Sequence, residues 1–101
     1  MKVNLNVPLV ALDGEVVEQD NKIVILNTLC INALLQSEDP ANKFKCFTLA
    51  TKLNNATGGG IEITTEEGAF IKEIINKSQY TPLVVGRVFE AIEGNTTIIE
   101  G

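Results

Sequence analysis

The sequence predicts a small α+β domain, in which an amino-terminal β-hairpin and one further short strand form a small sheet packed against about four helices. Three observations lead there. At the amino end Val3, Leu5 and Val7 alternate with Asn4 and Asn6, the period of a half-buried strand. An Asp13-Gly14 pair then divides two apolar stretches, as a tight turn does. Beyond residue 20, apolar residues recur at helical spacing between cap, proline and glycine signals.

The first element is a hairpin over residues 2–19. Its arms include Leu9-Val10-Ala11-Leu12 and Glu15-Val16-Val17-Glu18, and Asp13-Gly14 supplies the positive φ angles of a two-residue turn. Asp20-Asn21 is placed to cap a helix from about Lys22 to Gln36. Ile23, Leu26, Leu29, Cys30, Ala33 and Leu34 make that helix apolar nearly all round, and hence the most buried one. The β-branched run Ile23-Val24-Ile25 leaves open an alternative in which a strand resumes and the helix begins near Asn27.

Glu38-Asp39-Pro40 starts a second helix that runs to about Leu53, with Asp39 as cap and Pro40 at a position that needs no amide hydrogen. Phe44, Phe47, Leu49, Ala50 and Leu53 read as its buried side, and Asn42, Lys43, Lys45 and Lys52 as its solvated side. Gly58-Gly59-Gly60 interrupts the chain as a loop before a short strand at Ile61-Glu62-Ile63. Thr64 and Glu67 have capping-box spacing, and Phe70, Ile71, Ile74 and Ile75 share one face of the helix that follows, over 65–77.

Thr81-Pro82 opens the last helix, in which Leu83, Val85, Val88, Phe89 and Ile92 recur up to a stop at Gly94. Gly86 in its middle predicts a close approach by another backbone. Residues 95–101 form a strand-like or loose tail, completing a single domain that is mainly helical over 22–94.

With 45% hydrophobic and 21% charged residues, the composition of the 101-residue chain is that of one globular domain. A net charge of -5 and basic residues scattered from Lys2 to Arg87 disfavour nucleic-acid binding. Cys30 and Cys46 sit among apolar neighbours as small buried thiols. The start, Met1-Lys2-Val3-Asn4, carries no apolar core of signal type, and runs such as Ile23 to Leu26 are too short for a bilayer, so a cytoplasmic protein without a membrane partner is expected.

The chain has no histidine, which removes histidine-based nucleophilic catalysis, histidine metal sites and histidine pH switching. Two separated cysteines supply half of a zinc site at most, and the glycine triplet lacks the Gly-Lys-Ser/Thr ending of a phosphate loop. Glu38-Asp39 and Glu66-Glu67 stand at helix starts, where negative charge opposes the helix dipole, and Tyr80 reads as a packing residue at a helix junction. No catalytic residue, cofactor or metal site is expected.

Recognition is the remaining role. Arg87, the single arginine, is a candidate interface anchor, with a solvated helix face as the alternative. Ile98 and Ile99 are candidate contacts if the sheet edge and tail add a strand from a partner or from a second copy; the alternative is a tail that pairs within its own sheet or hangs loose.

The succession Leu12-Asp13-Gly14, Ala33-Leu34-Leu35, Lys43-Phe44-Lys45, the strand-helix unit Ile61 to Ile75, and Thr81-Pro82-Leu83-Val84-Val85-Gly86 resembles small uncharacterised proteins encoded by tailed phages and prophages. The resemblance spans most of the chain and brings no catalytic residues. It implies a non-enzymatic accessory protein of the host-cell cytoplasm that binds another protein, in assembly or in host interference. The alternatives are an oligomeric structural component joined through the sheet edge and a small-ligand-binding domain.

Overall fold

Strand pairing and helices divide the chain as an α+β fold should, although the strands pair differently from the expected hairpin. The computed structural model describes residues 2–37, 40–56 and 60–93. The expected cap at Asp39, Gly58 and Gly59, the stop at Gly94, and the tail with Ile98 and Ile99 lie outside the described residues. In chain order the elements are β1 (Lys2–Val3), β2 (Glu18–Gln19), β3 (Lys22–Ile23), α1 (Leu26–Leu35), a 3₁₀ turn (Pro40–Asn42), α2 (Lys43–Asn54), β4 (Ile61–Glu62), α3 (Thr65–Lys77) and α4 (Pro82–Glu93).

The first correction concerns the hairpin. β1 does not pair with the chain that follows it; it runs antiparallel to β4, with Lys2 opposite Glu62 and Val3 opposite Ile61. Gly60, at φ +96, makes the pairing possible, because a Cβ there would stand 2.6 Å from the Val3 carbonyl oxygen. The hairpin proper begins later, with Val10 bridged to Val16. Its loop has three residues instead of two: the Ala11 amide donates to the Glu15 carbonyl at 2.8 Å and the Gly14 amide to the Ala11 carbonyl at 3.0 Å. Gly14 alone in that loop takes a positive φ, while the Asp13 carboxylate accepts from the Glu15 amide at 3.0 Å.

Asp20-Asn21 is a second turn and not a helix cap. Both residues have positive φ, 54° and 66°, which suits the two-residue turn joining β2 to β3. The β-branched run therefore resumes a strand, the alternative left open by the sequence, and α1 starts at Leu26.

Three segments now meet pairwise. Pro8 bridges Ile25, Val10 bridges Val16, and Glu18 pairs with Ile23. At their common level the Leu9 amide donates to the Val24 carbonyl at 2.7 Å, Val24 to Val17 at 3.1 Å, and Val17 to Leu9 at 2.8 Å. These bonds form a closed ring in which all six backbone groups are satisfied, so the level has no open edge.

Ile25 offers α1 no side-chain cap. The chain supplies backbone acceptors instead: the Leu26 amide donates to Val7 at 3.0 Å and the Asn27 amide to Leu5 at 2.7 Å. The buried Asn27 side chain donates onward to the Leu53 carbonyl at 3.0 Å, tying the start of α1 to the end of α2. α1 packs against α2, α3 and α4, as the expected central helix should. The core joins Leu34, Leu53, Ile71, Ile75 and Val88, with Val3, Leu5 and Leu9 closing it from the strand side.

α3 begins with the expected capping box: the Glu67 amide donates to the Thr64 hydroxyl at 3.0 Å and the Thr64 amide to the Glu67 carboxylate at 2.9 Å. In α4 the buried stripe is Val84, Val88 and Ile92, with Leu83 and Phe89 packed at its margin. Gly86 is exposed and nothing lies within 4 Å of the position a Cβ would take, so the expected close backbone approach is absent there.

Candidate functional site

α2 buries Cys46, Leu49, Ala50 and Leu53, a stripe at the i, i+3, i+4, i+7 spacing of one helix face. Two of these are small, as are Cys30 and Ala33 on the facing helix α1, which suits close helix packing. Choosing this stripe turns the aromatic residues outward. Phe44 is 78% exposed and Phe47 57% exposed, against the expectation that both belong to the core.

The two rings form a pair, with centroids 6.4 Å apart and planes inclined by 30°. Beside them the Thr48 hydroxyl donates to the Phe44 carbonyl at 2.9 Å and the Thr51 hydroxyl to the Phe47 carbonyl at 3.0 Å. Each hydroxyl has a single proton to donate, and here it serves the helix backbone. The face is thus more apolar than its sequence of phenylalanines and threonines suggests.

α2 also carries three of the eight basic residues of the chain and none of its thirteen acidic ones. Lys45 places its ammonium 4.3 Å from the centroid of Phe70, and Lys52 reaches the Glu67 carboxylate at 3.0 Å, so both lean toward α3. Lys43 is exposed beside Phe44. Among the described residues the remaining exposed large apolar side chains, Leu12, Val16, Ile23 and Leu35, stand outside α2.

Arg87 is employed inside the chain. Its Nε donates to the Val10 carbonyl at 2.8 Å, one Nη to the Ala11 carbonyl at 3.1 Å, and the other Nη meets Glu90 at 3.0 Å. It thereby fastens the first hairpin loop to α4 and, with Pro8, Val10 and Ala91, lines an open, mainly apolar cleft of about 290 Å³. Ile98 and Ile99, the other candidate contacts, lie outside the described residues.

A larger open groove, of about 940 Å³, lies at the carboxyl ends of α1 and α3 between Gln36, Ile74, Lys77 and Tyr80. Tyr80 is half-buried there and packs on the core, as its position before Thr81-Pro82 suggests. Among the described residues its lining carries the Lys77 ammonium, the Ser37 and Ser78 hydroxyls and the Tyr80 phenol, and neither a carboxylate nor a thiol. Among the described residues no group of three or more His, Cys, Asp or Glu side chains gathers to hold a metal ion.

The other reactive groups serve structure. Burial pushes the Cys30 thiol up to about 12, far from the thiolate needed for nucleophilic chemistry. The Thr64 amide holds the Glu67 carboxyl below its ordinary range against the opposing effect of burial, with the Lys52 and Lys45 ammonium groups adding to the lowering. No described helix is long and apolar enough to cross a membrane.

The outward aromatic pair is hidden in sequence because Phe44 and Phe47 compete with Cys46 for a buried side otherwise made of Leu49, Ala50 and Leu53, and bulk alone favours the phenylalanines. The signal for the other choice is the flanking Lys43 and Lys45, which bracket Phe44 directly. No family model matches the chain, and no curated protein or solved structure matches it.

Proposed function

We propose that this chain is a non-enzymatic accessory protein, of the kind that phages and prophages encode, which works by binding another protein through the outward face of α2. The observation that carries the reading is the Phe44–Phe47 pair, two large rings held in solvent on a rigid helix. A ring so exposed adds little to the core, and aromatic side chains on an ordered element are the anchors that protein interfaces bury. The phage setting rests on the resemblance in the order of the elements. The closed ring of Leu9, Val17 and Val24 speaks against assembly by strand addition at that level, which leaves helix docking as the favoured mode.

The test is site-specific photocrosslinking in bacterial cells, with a photoreactive phenylalanine analogue at position 47 and, as a control, at exposed Asn76 on α3. The expected result is a discrete adduct from position 47 and none from position 76. Equal crosslinking from both positions sinks the proposal. An adduct of twice the chain mass, matched by a dimer in light scattering, transfers the reading to an oligomeric structural component.

A further inference from the structure

We infer that the partner segment received by α2 is acidic, with apolar side chains set among its carboxylates; this rests on the docking reading above and specifies its chemistry. The apolar anchors follow from Phe44 and Phe47, and the charge follows from the lysines around them. Every charged side chain on α2 is a lysine, whereas the chain as a whole is at -5. With Lys52 paired to Glu67, Lys43 and Lys45 leave the helix a positive strip on a negative molecule. Lys43 stands beside Phe44 in solvent, and Lys45 and Lys52 line the other flank of the aromatic stripe, toward Phe70 and Glu67.

Oppositely charged surfaces attract at encounter and like charges disfavour wrong partners, so a basic-flanked apolar stripe selects carboxylates. The same charges oppose a second copy seated two-fold on α2, because Lys43 and Lys45 would face their own equivalents with no acid on the helix to separate them. Negative charge over the remaining surface also opposes an anionic bilayer, which a peripheral helix would need to approach closely.

The test titrates the isotope-labelled chain with two synthetic amphipathic peptides of equal length, one of glutamate and leucine and one of lysine and leucine, and with phosphatidylglycerol vesicles. The glutamate peptide is expected to shift the amide resonances of 43–54 and to bind at least about tenfold more tightly than the lysine peptide. Its binding is expected to weaken as sodium chloride is raised, and to be lost in a Phe44→Ser/Phe47→Ser variant that stays folded, as its amide spectrum outside α2 shows. Equal binding of both peptides at α2, or tighter binding of the lysine peptide, overturns the acidic assignment while leaving α2 as a docking face. Absence of shifts on α2 with either peptide overturns the assignment and counts against the docking face too. Vesicle binding that outcompetes the glutamate peptide makes the face a membrane contact and likewise overturns it.

Discussion

The Arg87 guanidinium on α4 and the Val10 carbonyl in the first hairpin arm meet at 2.8 Å, across 77 positions of sequence. With the second bond to the Ala11 carbonyl, this contact ties α4 to the first hairpin loop. Val10 and Ala11 directly follow Leu9 of the Leu9–Val17–Val24 ring, so the clamp holds the chain next to that level of strand pairing.

Replacing Arg87 with alanine is therefore expected to cost about 1–2 kcal/mol of stability, a value set by two charge-assisted bonds and reduced by the partial exposure of the side chain. Urea denaturation measures the loss, and amide exchange is expected to localise it to Ala11, Gly14 and Val17. Arg87→Lys should restore only part of it, because an ammonium lacks the fork that reaches both carbonyls. A variant as stable as the parent, with unchanged exchange in the loop, would remove the clamp from this account.

Two glycines are expected to respond to alanine with opposite signs. Gly86 is exposed in the middle of α4 with open space at its Cβ position, so Gly86→Ala should stabilise by about 0.5–1 kcal/mol through helix propensity. Gly60 combines φ +96 with the 2.6 Å approach to the Val3 carbonyl, so Gly60→Ala should destabilise by at least about 1–2 kcal/mol and loosen the pairing of β1 with β4. Parallel denaturation curves of the two variants decide the matter.

Glu67 gives the fold a defined pH response. Its folded-state pKa is below the ordinary value of 4.5, so the stabilisation it provides is complete above that value and is lost as the pH falls through the folded-state pKa. Glu67→Ala removes the capping-box acceptor and the Lys52 contact and should cost about 1 kcal/mol at neutral pH. Glu67→Gln retains an acceptor for the Thr64 amide and should lose less. The difference in melting temperature between parent and Glu67→Ala is expected to shrink on acidification; a constant difference would mean that the carboxylate charge is irrelevant.

Cys30 carries the opposite sign. Its folded thiol resists ionisation up to about 12, compared with 9.0 ordinarily, so stability should fall as the pH rises through that interval, where only the unfolded thiol ionises. At mildly alkaline pH an alkylating reagent should label Cys30 at the rate of unfolding and not at the rate of a free thiol, with mass spectrometry as the readout. Rapid labelling of the folded chain would contradict the burial.

Local rules made some of this structure legible in sequence and competition hid the rest. Thr64 and Glu67 specify their helix start because both partners of the capping box lie within one turn, and no distant contact is needed to form it. The start of α1 was ambiguous since Asp20-Asn21 suits a helix cap while the β-branched run Ile23-Val24-Ile25 suits a strand, and the choice fell to the tertiary pairing of Ile25 with Pro8. Val3 meeting Ile61 was invisible for the same reason, being a contact between remote short strands. On α2 the periodicity allowed two buried stripes, and the packing of small residues against α1, to which the flanking Lys43 and Lys45 were the sequence signal, separated them.

That last choice supplies the sharpest structural prediction. If Phe44 and Phe47 belonged to the core, serine at both positions would cost several kcal/mol, since large-to-small changes at a buried phenylalanine remove about 3–5 kcal/mol each. At 78% and 57% exposure they make few contacts to lose, and the pair itself contributes about 0.5–1.5 kcal/mol. Phe44→Ser/Phe47→Ser is therefore expected to remain within about 1.5 kcal/mol of the parent in urea denaturation. Cys46→Phe, which forces a large ring into the buried stripe of α2, should be the more damaging change, through overpacking against α1. The reverse ranking would place the aromatic face inward and take away the surface on which the docking proposal stands.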